Sequence, residues 1–163
     1  KAAFAFFNTL LGGLATAIIL TYNGSMTVEL LTLSDFAQDA FGKLIVVGVF
    51  DAIMVKEFPA VHPFMAIAAR IRFPVYELGE HQARVEIKDS SGRQLVPPLD
   101  GRLNINNIGT DSACANLTLN LMNLRFEQEM TWHISLQIDG QEKAGIPLFI
   151  RKVSAQNRPP QLQ

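Results

Sequence analysis

The sequence predicts an all-β fold, an antiparallel two-sheet sandwich of about seven or eight short strands. Three observations carry this. Apolar and polar residues alternate with a period of two along several segments, as on strands that have one buried and one wet face. Turn signals recur about every 8 to 12 residues. No segment shows a convincing amphipathic helical period.

Taken in order, Val28 to Phe36 is a short apolar strand closed by Ser34-Asp35, and Ala37 to Phe41 is expected to add one helical turn. Lys43 to Phe50 is a nearly continuous apolar, β-branched run, the composition of a central strand covered on both faces. The prolines of Phe58 to Pro63 exclude helix and force an extended crossing segment. Met65, Ile67, Ala69, Ile71 and Phe73 then alternate with Ala66, Ala68, Arg70 and Arg72, a strand pattern.

After Glu77 to Glu80 breaks the run, Ala83, Val85 and Ile87 alternate with Arg84, Glu86 and Lys88 until Asp89-Ser90-Ser91-Gly92 turns the chain. Pro97-Pro98 marks a loop or sheet edge. Leu103 and Ile105 open another strand, Gly109 to Ser112 turns, and Ala115, Leu117, Leu119 and Leu121 face in while Asn116, Thr118 and Asn120 face out. Met130 to Ile150 is the clearest element. Trp132, Ile134, Leu136 and Ile138 share one face, Thr131, His133, Ser135, Gln137 and Asp139 the other, and Asp139-Gly140 supplies the positive φ of a tight turn before Ile146, Leu148 and Ile150 return as a second strand. Trp132, on the penultimate strand, resembles the aromatic that pins inter-strand loops in immunoglobulin-like folds, an analogy of general architecture only.

Composition bounds the function. With 163 residues, 48% of them hydrophobic, the chain can bury one core, and a net charge of -1 lacks the basic face that nucleic acid binding requires. The single cysteine, Cys114, rules out an intramolecular disulfide and a thiolate cluster from one chain, and its place in an apolar alternating run suggests a small buried packing residue. Common enzyme signatures are absent: no serine elbow, phosphate-cradling glycine loop, H-E-x-x-H or paired C-x-x-C occurs. No cofactor is expected.

Residues 1–25 form an apolar N-terminal segment without charge from Ala2 onward. Ala2 to Leu20 approaches the length of a membrane-crossing helix, while Gly12-Gly13 interrupts it. Gly24-Ser25-Met26 has the look of a junction followed by an initiator methionine. Three readings follow: foreign upstream sequence, a native anchor or export signal, or extra strands. A sandwich domain over 26–153 and a polar tail over 154–163 complete the division. The expected location is cytoplasmic, or exported or membrane-anchored if the first segment is native.

The dense acidic and imidazole groups are Asp35, Asp39, Asp51 and His62, the types a metal or acid–base site needs, although their spacing matches no ligand motif. Asp35 and Asp39 fit turn caps better, Asp51 the end of its strand, and His62 a loop side chain packed by Pro63. Arg70, Arg72 and Arg84 would make a small anion-binding patch if their strands pair, and a solvated sheet face accounts for them more simply. His133 points to the wet face of its strand. Asn116-Leu117-Thr118 matches a glycosylation sequon but lies in a strand pattern.

In order along the chain, Leu30 to Ile53, Glu57 to Phe73, Gly79 to Gly101 and the Trp132 to Ile150 hairpin resemble an uncharacterised bacterial family of small domains of unknown function. The resemblance spans about Met26 to Ile150, excludes residues 1–25, and so favours the foreign-segment reading. It implies a β-sandwich and transfers no catalytic residues.

The expected function is a non-catalytic binding or assembly module that holds a protein partner or a second copy through a sheet face, an edge strand or the proline-bearing loop, with Arg70, Arg72, Arg84, His62 and His133 as candidate contacts. Two alternatives stand beside it. One is an envelope sandwich anchored through residues 1–25, and the other a metal-dependent or hydrolytic enzyme in which Asp35, Asp39, Asp51 and His62 converge.

Overall fold

A computed structural model describes residues 25–106 and 109–154. The expectations for 1–24 and for the tail beyond 154 lie outside it. Nine strands follow in chain order: β1 (Thr27–Ala40), β2 (Lys43–Phe50), β3 (Ala52–Val55), β4 (Ala60–Pro74), β5 (Gly79–Lys88), β6 (Leu99–Ile105), β7 (Ser112–Phe126), β8 (Met130–Ile138) and β9 (Gln141–Lys152), with one 3₁₀ turn at Val75–Glu77. They form a four-stranded sheet ordered β2-β1-β4-β7 and a five-stranded sheet ordered β3-β9-β8-β5-β6. The all-β two-sheet fold is therefore as expected.

The core follows from the alternation. Met65, Ile67, Ala69, Ile71 and Phe73 of β4 are fully buried, facing Val85 and Ile87 of β5, Ile134, Leu136 and Ile138 of β8, and Leu148 and Ile150 of β9 within one apolar cluster. Burying such a side chain contributes about 1.5–3 kcal/mol. At the β8–β9 turn Asp139 and Gly140 take φ of 52° and 76°, the left-handed geometry that Asp-Gly was expected to supply.

Several expectations are corrected. Lys43 to Phe50 is not a central strand: β2 lies at the edge of its sheet and hydrogen-bonds only β1 among the described residues. β1 continues past Ser34-Asp35 without ending, and Ala37 to Ala40 stays in register with Val46 to Lys43, so the helical turn at Ala37 to Phe41 does not form. Cross-strand pairing outweighs the weak local preference there. β3, unanticipated, pairs with β9 in parallel, which is the one parallel strand pairing among the described residues. Cys114 is only half-buried, because the inward positions of β7 start at Ala113 and Cys114 falls on the outer face.

The outer face of β4 holds a second layer. Ala66 and Ala68 point away from the main core yet are fully buried, packed with Ala37, Leu44, Val46 and Phe64 in a separate small cluster. The far half of the β1–β2 hairpin therefore folds back over β4 as a flap. Beyond Ser34, β1 no longer pairs with β4, and Asp39 and Gly42 at the hairpin tip reach Asn116 of β7, whose Nδ2 donates to the Asp39 carboxylate at 2.6 Å and to the Gly42 carbonyl at 3.1 Å. Gly48 lies across from Asp35 at the bend with φ 70°, and a Cβ there would collide with the Asp35 side chain. Only glycine suits both demands.

Candidate functional site

The predicted arginine patch does not assemble. Arg70 and Arg72 lie on β4, whereas Arg84 lies on β5 of the other sheet. A β-bulge between Val28 and Leu30 aims Glu29 at both β4 arginines, with Arg70 Nε 2.9 Å from its carboxylate, and Arg70 and Arg72 also donate to Asn116 and Ser112. The two guanidiniums hold the Glu29 carboxyl below the usual range, with the hydrogen bond from Arg72 the largest cause. Arg84 makes a two-pronged pair with Asp100 of β6 at 2.7 and 3.1 Å.

The acidic and imidazole set does not converge as a whole either, although Asp35 lies near enough to His62 for its charge to act on the imidazole. Among the described residues no three His, Cys, Asp or Glu side chains are grouped to hold a metal. Asp39 caps the β1–β2 turn as expected, accepting from the Gly42 amide, and the hydrogen bond from Asn116 is the main cause that lowers its pKa. Asp35 is not a turn cap; it sits within β1 against Gly48. Asp51 follows β2, where its carbonyl accepts from Phe149 of β9. His62 lies within β4 rather than in a loop, edge-on to Phe50, with Nε2 buried and without a partner, and burial depresses its pKa. His133 is exposed beside Glu142 at 3.4 Å, over Gly145, which alone leaves room for the ring.

One polar constellation was not anticipated. His81 of β5 lies between the Asp139 carboxylate, 2.7 Å from Nδ1, and the Glu77 carbonyl, 2.9 Å from Nε2, with its ring against Phe73 at 4.7 Å. Two acceptors for two ring nitrogens favour the imidazolium. Burial opposes the charge, but the bonds to Asp139 and Glu77 outweigh it and raise the His81 pKa, while His81 is the main cause that lowers that of Asp139. Asp139 also accepts from the Gln82 amide, so the site ties the β8–β9 turn to β5. His81 and Asp139 are 58 residues apart, and nothing in the sequence links them.

The raised pKa makes this a pH-dependent tie. The stabilisation from a raised imidazole is complete below its ordinary pKa of 6.5 and is lost as pH rises through the higher folded value. That from Asp139 is lost as pH falls below the usual 3.8 through its lowered value. The stability gap between the protein and its His81→Gln variant is therefore expected to be widest in mildly acidic solution and to narrow toward alkaline pH. Urea melts across that range check it, and a gap that widens with rising pH would show the assignment to be wrong.

A cleft at one end of the sandwich is lined by Arg93, Arg125, Glu127 and Trp132. Its two cations are already engaged, Arg93 with Asp89 and Arg125 with Glu127, and Arg93 also covers the Trp132 ring at 5.5 Å. It offers no free charge.

What remains is β2. Its alternate residues Ile45, Val47 and Val49 are 43%, 55% and 66% exposed, and Phe36, the β1 partner of Val47, is 44% exposed. The opposite face of the same strand, Leu44 and Val46, packs on the alanines of β4. The result is an apolar strip beside a row of backbone groups that hydrogen-bond no other strand among the described residues. The other three edges are blunted by known devices. β3 has four residues, β6 carries Gly101, Arg102 and Asn104, and β7 presents Asn116, Thr118 and Asn120 with a kink at Asn123, φ 54°.

A family of unknown function, DUF6941, matches residues 29–151. No curated protein matches the chain. Among solved structures, the alkylpurine DNA glycosylase AlkC of Pseudomonas fluorescens, bound to DNA containing an abasic site analog, is 9% identical, with 78% of this chain and 30% of that one covered at a TM-score of 0.47. Hemolymph-type prophenoloxidase from a crustacean is 7% identical, with 84% and 36% covered at a TM-score of 0.42. This chain thus spans about a third of the length of each.

Proposed function

The chain belongs to the family of unknown function DUF6941, and from the geometry of its edges we propose that it is a non-catalytic binding or assembly module whose working element is the free edge of β2. The observation that supports this is the contrast between edges: among the described residues, β2 alone combines backbone groups that pair with no further strand with an exposed apolar strip of Ile45, Val47 and Val49. Strand addition uses both features, since main-chain bonds supply affinity and alternate side chains supply specificity. The arginines the sequence singled out are engaged with Glu29 and Asp100 and serve the fold.

Amide hydrogen exchange tests the proposal. Outward-facing amides of Lys43 to Phe50 are expected to gain protection when the protein enters its assembled form, and Val47→Asp is expected to abolish both the assembly and the protection. Protection confined to β7, or assembly indifferent to Val47→Asp, would refute it.

A further inference from the structure

We propose that the occupant of this edge is a second copy of the chain, its β2 antiparallel to the first and centred on Val47, so that the two sheets join into one of eight strands. This rests on the reading of β2 as the working edge and adds the partner and the register.

The charges select the register. Lys43 opens β2 and Asp51 follows its last residue; both side chains are exposed, and neither forms an ion pair among the described residues. Both are four residues from Val47. An antiparallel two-fold axis through Val47 therefore sets Ile45 opposite Val49 and Val47 opposite Val47, and brings Lys43 of each copy to the end of the other β2, beside Asp51. Lys43, Ile45, Val47 and Val49 alternate along one face of β2, and Asp51 stands at the bend just past its end, where its carbonyl is held by Phe149 of β9.

Other registers fail on the same residues. A shift of one sets odd positions against even ones, so the exposed residues meet positions whose side chains point into the flap. A shift of two toward the tip sets Lys43 against Val49, and a shift of two the other way sets Asp51 against Ile45. Either leaves a charge against an apolar side chain. Only the Val47-centred register pairs both charges while matching β-branched residues to each other. Phe36, beside Val47 on β1, extends the central row to Phe36, Val47, Val47 and Phe36 across the junction. Gly48 falls opposite Val46 of the second copy and brings no side chain to obstruct it.

The test uses the full 163-residue chain. In a Cys114→Ser background, Val47→Cys is expected to form a disulfide-linked dimer under mild oxidation, since directly opposed strand residues lie within disulfide reach. Ile45→Cys alone is expected not to. Lys43→Glu and Asp51→Lys should each weaken the dimer by roughly tenfold or more, because each places like charges opposite at two symmetric sites. The double variant Lys43→Glu/Asp51→Lys should recover the original affinity in sedimentation equilibrium. A dimer that protects β2 amides but shows neither the Val47 cross-link nor the charge rescue would overturn this register and leave the edge reading standing. A chain that stays monomeric at all concentrations would overturn the second-copy proposal, while protection of β2 by another protein would preserve the edge reading.

Discussion

Phe73→Ala is expected to destabilise the fold by about 3–5 kcal/mol, the range for removing a buried aromatic ring from a packed core. Phe73 is fully buried on β4 and is the largest of the fully buried side chains. Its ring also supports His81, which is held at its two nitrogens by Asp139 and Glu77. Truncation therefore opens a cavity and loosens the polar tie beside it. Urea denaturation should show a lower midpoint with an unchanged slope, and the His81 imidazole, followed by NMR titration, should move back toward its ordinary pKa. A loss below about 1 kcal/mol would mean that the two sheets do not close over Phe73 as described.

Ala68→Arg has the second large expected effect, and it is local. In an ordinary sandwich the outward side of β4 would accept arginine, as it does at Arg70 and Arg72. Here Ala68 is fully buried beneath Ala37, Leu44 and Val46. A larger side chain must strain the contact, at about 1–3 kcal/mol for overpacking, or lift the hairpin off the sheet to keep its charge in water. The second outcome is expected. Amide exchange should accelerate across residues 35–48, where the flap loses its seat, while β5, β8 and β9 keep their protection. Uniform loss of protection would show instead that the flap and the sandwich unfold as one unit.

The alternation of side chains announced the sandwich because burial acts residue by residue: Trp132, Ile134, Leu136 and Ile138 are buried as their spacing required, and Asp139-Gly140 turns where it was expected to turn. The same logic misplaced β2. A run such as Lys43 to Phe50 shows that apolar side chains need cover, but not whether cover lies on both faces. In the fold Leu44 and Val46 find it under the flap, and Ile45, Val47 and Val49 do not. The exposure that marks the candidate site was thus hidden in a pattern that normally means burial.

The arginine patch failed for a related reason. Arg70, Arg72 and Arg84 lie close in sequence, but β4 and β5 belong to different sheets, and the groups that engage these side chains, Glu29 and Asp100, come from strands distant in the chain. The His81 to Asp139 contact spans 58 residues and was equally invisible.

By itself, then, the sequence determined the secondary structure of most segments, the inward face of each clear strand and the position of the last hairpin, since these depend on local steric preference and on the period of two. Which strands lie at the edges, that the β1–β2 hairpin doubles back over two alanines, and which charges find partners were decided only in the tertiary structure. Those outcomes depend on contacts between residues far apart in the chain, where no local periodicity records who the neighbour will be.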